Sequence, residues 1–137
     1  MTQSKPTIEE TTSFTPRFDG DGLLPAIVTD EATGEVLMFA FMNRDALERT
    51  LSTRQAHFWS RSRKKIWKKG EESGNVLEIA EIRTDCDQDV VWVRARIAGN
   101  GVACHTGARS CFYRRIDRGP GGDALVFANA KDMPSKG

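Results

Sequence analysis

The chain has 137 residues, of which 39% are hydrophobic and 28% are charged, and its formal net charge is +1. This composition is typical of one soluble globular domain, and it gives no overall basic field that would indicate a nucleic-acid partner. No apolar run reaches membrane-spanning length and the N-terminus lacks a signal-peptide core, so we expect a cytoplasmic protein with no membrane partner.

The two ends of the chain differ in composition from its middle. Residues 1–16 are rich in Thr, Ser, Pro and Glu, which predicts a mobile N-terminal arm. Residues 129–137 form a polar tail. We therefore place a single folded domain at residues 17–128 and find no internal repeat in it.

A β-hairpin followed by a helix is predicted at the start of the domain. The apolar runs at 23–28 and 36–41 flank a turn that ends at Gly34, which indicates two substantially buried strands. Asn43 suits an N-cap, and Met42 and Leu47 occupy the two positions of a hydrophobic staple. Helical spacing of apolar residues then predicts a helix over residues 44–52.

A strand at 56–60 leads into the most basic segment of the chain, residues 61–74. Charge alone favours a solvated loop, but arginines, hydroxyls and glycine amides together also suit a phosphate monoester. The spacing fits no P-loop. Our candidates for phosphate contacts are Arg61, Arg63, Ser73 and Gly74.

Alternating residues predict two more strands, at 76–82 and 90–97. In the second strand Val91, Val93 and Ala95 share one face, whereas Trp92 and Arg94 lie on a mixed face that suggests partial exposure or a subunit contact. A strand up to residue 116, a break at 119–122 and a short strand at 124–127 follow. The predicted fold is α+β, a small single domain of mainly antiparallel strands with one or two helices.

Three aspartates, Asp85, Asp87 and Asp89, alternate with Cys86 and Gln88. If the segment is extended, the aspartates share one face and Cys86 takes the other. A hard divalent cation would relieve the repulsion among the carboxylates. The alternative is a solvated acidic turn.

Cys86, Cys104 and Cys111 are the three cysteines of the chain, and this odd number favours metal or catalytic roles over disulfides. Three thiolates bind zinc and leave a fourth position open for water, which is the catalytic pattern, although three buried inert cysteines are an alternative. His105 is either a general acid/base or a fourth ligand. In the second case the chain would be a non-enzymatic zinc module with a closed site.

Six stretches give the sequence a family resemblance: GLLPAIV at 22–28, VLMFAFMN at 36–43, WSRSR at 59–63, WKKGEESGN at 67–75, DCDQD at 85–89 and CHTGARSCF at 104–112. With these motifs the chain resembles phosphoribosyl-AMP cyclohydrolase, an enzyme family of histidine biosynthesis, over most of the domain. Bifunctional relatives carry a pyrophosphohydrolase domain after this one, and we expect the monofunctional form here. The base-deaminase signature H-x-E…PCxxC is absent, which argues against that class.

The resemblance implies an activity and a set of site residues. The substrate would be 1-(5-phosphoribosyl)-AMP, whose purine ring is opened between N1 and C6 by water activated on zinc. Zinc would be held by Cys86, Cys104 and Cys111, and magnesium by Asp85, Asp87 and Asp89. His105 would protonate N1, with His57 as a second candidate that could equally be a structural strand histidine. The resemblance also implies an intertwined homodimer that shares its zinc ligands between subunits.

Overall fold

The computed structural model describes residues 6–128 of the chain. Residues 1–5 of the predicted arm and the predicted tail at 129–137 lie outside this range. The elements in chain order are β1 (Leu24–Asp30), β2 (Val36–Met42), α1 (Arg44–Thr53), β3 (His57–Ser60), β4 (Lys65–Lys68), β5 (Leu77–Thr84), β6 (Val91–Ile97), β7 (Arg114–Gly119) and β8 (Gly122–Phe127).

Six of these strands form the main sheet, in the order β4-β3-β2-β1-β6-β5. Strands β1 and β6 run parallel, and all the other neighbours in the sheet are antiparallel. This architecture confirms the predicted α+β domain with mainly antiparallel strands. In residues 6–128 no helix has the length and apolar character needed to span a membrane.

The predicted hairpin and helix are confirmed, with boundaries that shift by one or two residues. Helix α1 begins after Asn43, whose side-chain Oδ1 accepts a hydrogen bond of 2.8 Å from the amide of Ala46. It ends at Thr53, and the C-cap residue Arg54 adopts a left-handed conformation with φ of 63°. Ala46 and Leu47 face inward and join a core formed with one face of the main sheet.

Strand β6 shows the two faces that its alternation predicts. Val91, Val93 and Ala95 are fully buried in the core, whereas Trp92 on the opposite face is 36% exposed. Trp92 lies beside Ile27 of β1, which in turn lies beside Phe39 of β2. These three side chains form an exposed apolar row across three strands, so the outer face of the sheet is only partly polar.

The basic segment contains a strand that the sequence analysis did not predict. Strand β4 pairs with β3, and its Ile66 and Trp67 are half-buried among flanking lysines. The ring of Trp67 packs 5.0 Å from the ring of Phe58, centroid to centroid. Packing of these two side chains therefore outweighs the charge pattern that indicated a loop.

Strands β7 and β8 form a separate two-stranded sheet, which we call the ribbon. The predicted break at 119–122 is a tight turn, in which Gly119 pairs with Gly122. The ribbon follows the second half of the cysteine-containing loop, so the chain continues as a hairpin rather than as one further strand of the main sheet.

Candidate metal centre and active-site cleft

The acidic segment is a turn between β5 and β6, not the extended strand on which its predicted alternation depends. The amide of Gln88 donates to the carbonyl of Asp85 across 3.1 Å. Asp85 Oδ1 also accepts hydrogen bonds from the amides of Asp89 and Val90, at 3.0 and 3.3 Å. The prediction that Cys86 points away from the aspartates is therefore wrong. We call residues 85–90 the acidic turn.

Three potential ligand atoms converge in the acidic turn. One atom from each of Asp85, Cys86 and Asp87 lies within 4.8 Å of the other two, and all three residues are exposed. Two carboxylate oxygens and a thiol at this spacing fit a divalent cation. The donor set therefore suits a metal, and it includes the thiol that the extended geometry had excluded.

Asp85 and Asp89 shift each other's pKa in this turn. Desolvation opposes the ionised form of Asp85, but hydrogen bonds from Asp89 and Val90 outweigh it and hold the pKa of Asp85 below its ordinary value. A side-chain hydrogen bond with Asp85, followed by burial and the charges of Asp85 and Asp87, raises the pKa of Asp89. A bound cation would offset this crowding of negative charge.

Gln88 connects the acidic turn to the N-terminal arm. It is buried and holds a left-handed conformation with φ of 55°. Its side chain accepts from the amide of Thr15 at 2.7 Å and donates to the carbonyls of Ser13 and Ile8 at 3.2 and 3.4 Å. Its carbonyl accepts from the amide of Arg17 at 2.7 Å. The described part of the arm is thereby held against the acidic turn.

Cys104 and Cys111 lie in one loop that is closed on itself and fixed to the sheet. The amide of Cys104 donates to the carbonyl of Ala108 at 3.1 Å, and the amide of Cys111 donates to the carbonyl of Leu37 at 2.7 Å. Arg109 adds an ion pair of 2.8 Å to Glu35 and another of 3.2 Å to Asp30. We call residues 101–112 the thiol loop.

The thiols of Cys104 and Cys111 are close enough to shift each other's pKa. Burial acts to raise the pKa of Cys104, but hydrogen bonds from Thr106 and Cys111 and the charge of Lys69 outweigh it, so the pKa is lowered. Thr106 Oγ1 donates to Cys104 Sγ across 3.0 Å. Although Cys111 keeps an exposed surface, desolvation and then the adjacent Cys104 raise its pKa to about 11. A second thiolate here therefore calls for additional positive charge, which a metal ion would supply.

The acidic turn and the thiol loop lie at opposite ends of the main sheet. Strand β6 starts beside the start of β1, so the acidic turn lies beyond that end. Cys111 is bound to Leu37 near the start of β2, which lies beside the end of β1. At about 3.3 Å per residue, the acidic turn and the thiol loop are roughly 15 Å apart along the strand direction alone. Within residues 6–128 of one chain, Cys86 accordingly does not join Cys104 and Cys111 in a common ligand group.

A cleft of about 770 Å³ opens beside the thiol loop. It lies between the β3–β4 hairpin, the loop at 69–75 and the thiol loop. Its lining brings together several sequence-predicted residues with cationic and polar side chains that the prediction did not include: Arg63, Lys65, Lys69, Ser73, Asn75, Cys104 and His105. His105 is exposed, so it can reach a ligand in this cleft. The arrangement suits an anionic molecule held next to a thiol-bound metal.

Asn75 fixes the shape of the cleft. It is buried, and its Oδ1 accepts a hydrogen bond of 2.9 Å from the amide of Asn100. Gly70 packs so closely on the Asn75 backbone that a Cβ at this position would lie 2.2 Å from the carbonyl carbon. The sequence analysis predicted neither contact.

Of the six residues predicted for catalysis or phosphate binding, three do not line the cleft. His57 is buried in β3, and its Nδ1 lies 2.8 Å from the carbonyl of Gln55, which favours the structural interpretation of this histidine. The guanidinium of Arg61 lies over the ring of Phe41, 4.2 Å from its centroid. Gly74 closes a turn with Gly70 through a hydrogen bond of 2.8 Å.

The sequence of the chain is similar to proteins of one family. The family model for phosphoribosyl-AMP cyclohydrolase matches residues 38–113, a range that includes the cleft, the acidic turn and the thiol loop. A protein of that name from Brucella abortus is 55% identical over 129 residues, covering 94% of this chain and 93% of the relative. The same name is carried by a relative from Brucella anthropi, 55% identical over 93% of this chain and 91% of its own length. In a second Brucella abortus strain the relative is 56% identical over 86% of this chain and 99% of its own length. The chain therefore belongs to the phosphoribosyl-AMP cyclohydrolase family and is a hydrolase.

Proposed function

We propose that the chain hydrolyses 1-(5-phosphoribosyl)-AMP in histidine biosynthesis, as a zinc- and magnesium-dependent homodimer. This chain covers 93% and 99% of the length of two relatives that are named phosphoribosyl-AMP cyclohydrolase. The observation that carries the proposal is the cleft itself, in which the Cys104 thiol and His105 lie beside a basic, hydroxyl-containing wall. Because the chain is an enzyme, the alternative of a closed structural zinc module is set aside.

The proposed reaction adds water across the bond between C6 and N1 of the purine. The oxygen bonds to C6, the bond from C6 to N1 breaks, and N1 gains a proton. When bound, zinc lowers the pKa of water to about 7 and so makes a nucleophile accessible at neutral pH. His105 is the residue of the cleft that we assign to protonate N1, since its exposed imidazole can carry a proton to a bound ligand.

We assign the phosphate groups of the substrate to the basic wall of the cleft. Arg63 and Ser73 line it, and Lys65 and Lys69 add positive charge at the same surface. Arg61 and Gly74 do not line the cleft and stay predicted phosphate contacts. Asp85, Asp87 and Asp89 are assigned to magnesium, whose oxygen preference their carboxylates satisfy.

Zinc is assigned to Cys86, Cys104 and Cys111, with Cys86 contributed by a second copy of the chain. The separation of the acidic turn from the thiol loop along the sheet supports this sharing, because one chain does not bring the three thiols together. A second copy turned so that its acidic turn meets the thiol loop would complete the ligand set. The exposed row of Phe39, Ile27 and Trp92 offers apolar surface for such pairing.

Turnover of the purified chain tests the proposed function. We expect ring opening of 1-(5-phosphoribosyl)-AMP, followed by its ultraviolet absorbance, with loss on chelation and recovery when zinc and magnesium are returned. AMP, which lacks the N1 ribosyl group, is the matched control and should not react. A metal-replete chain that leaves 1-(5-phosphoribosyl)-AMP intact would contradict the proposal.

A further inference from the structure

Strand β4 presents a row of alternating side chains to the cleft. Lys65, Trp67 and Lys69 all line it, and they lie two residues apart, so they share one face of the sheet. Trp67 lies opposite Phe58 in the ladder between β3 and β4. The amide of Lys69 donates to the carbonyl of Ala56 at 3.1 Å, so the pairing continues one residue beyond the strand. We call Lys65, Trp67 and Lys69 the β4 row.

The β4 row lies on the same side of the sheet as the thiol loop. Phe58, which shares the face of the row, is fully buried in the main core, and Ala103 of the thiol loop belongs to the same core. The positive charge of Lys69 acts on the thiols of both Cys104 and Cys111. Lys69 is therefore the end of the row beside the thiol loop, and the first lysine of the row is the far end.

The centre of the row is an aromatic ring that is held in place from behind. The ring of Trp67 packs on the buried ring of Phe58 at 5.0 Å and a tilt of 43°, and the residue remains half-exposed at the cleft. Of the described residues that line the cleft, Trp67 alone carries an indole or phenyl ring. Because its position is already fixed by packing, little side-chain freedom would be lost when a second planar ring stacks on it. Aromatic side chains bind nucleobases in this way.

The proposed function, on which this inference rests, supplies a ligand with the same layout as the row. In 1-(5-phosphoribosyl)-AMP one phosphoribosyl group is attached to N9 and the other to N1, at opposite ends of the purine. The four residue steps from Lys65 to Lys69 span about 13 Å, and each lysine adds a flexible four-carbon stem. A purine stacked on the central ring would therefore have an ammonium group within reach of the phosphate at either end.

We propose that Trp67 is the residue on which the purine stacks, and that Lys65 and Lys69 bind the phosphates on its two sides. The N1 end of the purine, where the ring is opened, points to the thiol loop, so Lys69 takes the phosphate of the N1 arm. Lys65, at the far end of the row, takes the phosphate of the N9 arm. The row thereby sets the direction of the purine as well as its position. It also favours a purine with phosphates at both ends over AMP, which reaches Lys65 but not Lys69.

Binding of AMP to the metal-replete chain tests the stacking separately from turnover. Trp67→Leu keeps an apolar side chain against Phe58 but has no aromatic face, whereas Trp67→Phe keeps a ring. We expect the AMP dissociation constant, from isothermal titration, to rise by at least about fivefold in Trp67→Leu and to stay within about threefold of wild type in Trp67→Phe. Trp59→Leu is the matched control and should also stay within about threefold, because Trp59 lies opposite Ile66 on the other face of the same hairpin.

Tryptophan fluorescence reports on the contact itself. AMP should quench the emission of the wild type and of Trp59→Leu, since the purine stacks on the indole that both proteins keep. In Trp67→Leu most of this quenching should be lost at the same AMP saturation. Circular dichroism on all the variants checks that the fold is kept.

Two lysine variants test the direction of the purine. Lys65→Ala should raise the AMP dissociation constant by at least about tenfold, with a smaller effect at high salt. Lys69→Ala should leave AMP binding within about threefold of wild type but raise KM for 1-(5-phosphoribosyl)-AMP by at least about tenfold, with zinc content checked by elemental analysis. Lys64→Ala is the control for charge, because it removes a lysine of the same segment that does not line the cleft.

The outcomes separate the stacking site from the proposed function. Unchanged AMP affinity in Trp67→Leu, an equal loss in Trp59→Leu, or a wild type that does not bind AMP at millimolar concentration would overturn the stacking site. Equal loss of AMP affinity in Lys65→Ala and Lys69→Ala would overturn the assigned direction. A chain that binds AMP with the expected dependence on Trp67 but leaves 1-(5-phosphoribosyl)-AMP intact would reject the proposed function and leave the stacking site standing.

Discussion

The amide of Cys111 donates a hydrogen bond of 2.7 Å to the carbonyl of Leu37 and so fixes the second thiol of the thiol loop to the start of β2. The acidic turn lies beyond the start of the neighbouring β1, at the other end of the sheet. The two segments that the proposed zinc site would join are therefore held by the sheet at a distance that no side-chain rotation closes. This relationship is the basis of the shared zinc site proposed above.

Asp87→Asn should weaken magnesium binding without disturbing the acidic turn. The Asp87 carboxylate belongs to the ligand group, whereas the hydrogen bonds that close the turn are accepted by Asp85. We expect the magnesium dissociation constant to rise by at least about tenfold, since a charged oxygen ligand is replaced by a neutral one. Isothermal titration measures it, with zinc content by elemental analysis staying near that of wild type.

Two further aspartate variants serve as controls. Asp45→Asn changes an exposed carboxylate in the first turn of α1 and should leave magnesium binding unchanged. Asp85→Ala removes both the ligand and the acceptor that closes the turn, so it should lower stability as well as magnesium affinity. Equal zinc loss and magnesium loss in Asp87→Asn would show that the acidic turn holds a single metal.

Arg63→Ala should raise KM for 1-(5-phosphoribosyl)-AMP far more than it lowers kcat. Arg63 lines the cleft, and a phosphate contact is made about equally in the ground state and the transition state. Arg61→Ala should raise KM less, because that guanidinium lies over Phe41. Steady-state kinetics measure KM and kcat of these variants. Arg49→Ala, on the exposed side of α1, is the control. An unchanged KM in Arg63→Ala would return the basic segment to the solvated-loop interpretation.

Gln88→Ala should release the N-terminal arm from the acidic turn. The variant loses three side-chain hydrogen bonds to the arm, at 2.7, 3.2 and 3.4 Å, and leaves backbone groups of the arm unpaired. We expect a loss of about 1–3 kcal/mol in the free energy of unfolding and faster hydrogen exchange over residues 8–17. Gln88→Gly is the matched variant, since it loses the same bonds but tolerates the φ of 55°. Slow exchange of the arm in both variants would mean that Gln88 is not its anchor.

Gly70→Ala should destabilise the fold more than Gly74→Ala, although both glycines have φ near +80°. A Cβ at Gly70 would lie 2.2 Å from the carbonyl carbon of Asn75, whereas a Cβ at Gly74 meets nothing within 4 Å. The left-handed conformation costs each variant roughly 1 kcal/mol, and overpacking adds about 1–3 kcal/mol at Gly70 alone. Urea denaturation gives both values, and equal losses would contradict the close packing of Gly70 on Asn75.

Local signals in the sequence were sufficient for the hairpin and for α1. The apolar runs and Gly34 predicted the hairpin, and Asn43 predicted the helix start that its hydrogen bond to Ala46 confirms. These features depend on neighbours a few residues apart. Strand β4 depends instead on the packing of Trp67 against Phe58, nine residues earlier. Its lysines made the segment look like a solvated loop, so the strand was not predicted.

The sequence supplied candidate site residues, but it did not predict the geometry in which the structure places them. Alternation of Asp and Cys is compatible with a strand or a turn. The left-handed conformation of Gln88 favours the turn, and the sequence gives no sign of it because the residue is not a glycine. The cleft depends on Asn75 and its bond to Asn100, 25 residues away. No spacing rule connects Thr106 Oγ1 with the thiol of Cys104, because that contact depends on how the loop closes.

Complementation between two cysteine variants tests the shared zinc site most directly. Cys86→Ser and Cys104→Ser should each lose zinc and turnover as homodimers. Mixed in equal amounts, unfolded and refolded together, half of the dimers become heterodimers, which hold one site with both lesions and one with neither. We expect about a quarter of wild-type activity and of wild-type zinc content to return. Heterodimers that form, as native mass spectrometry would show, and yet stay inactive and without zinc would place all three thiolates of each zinc site in one chain.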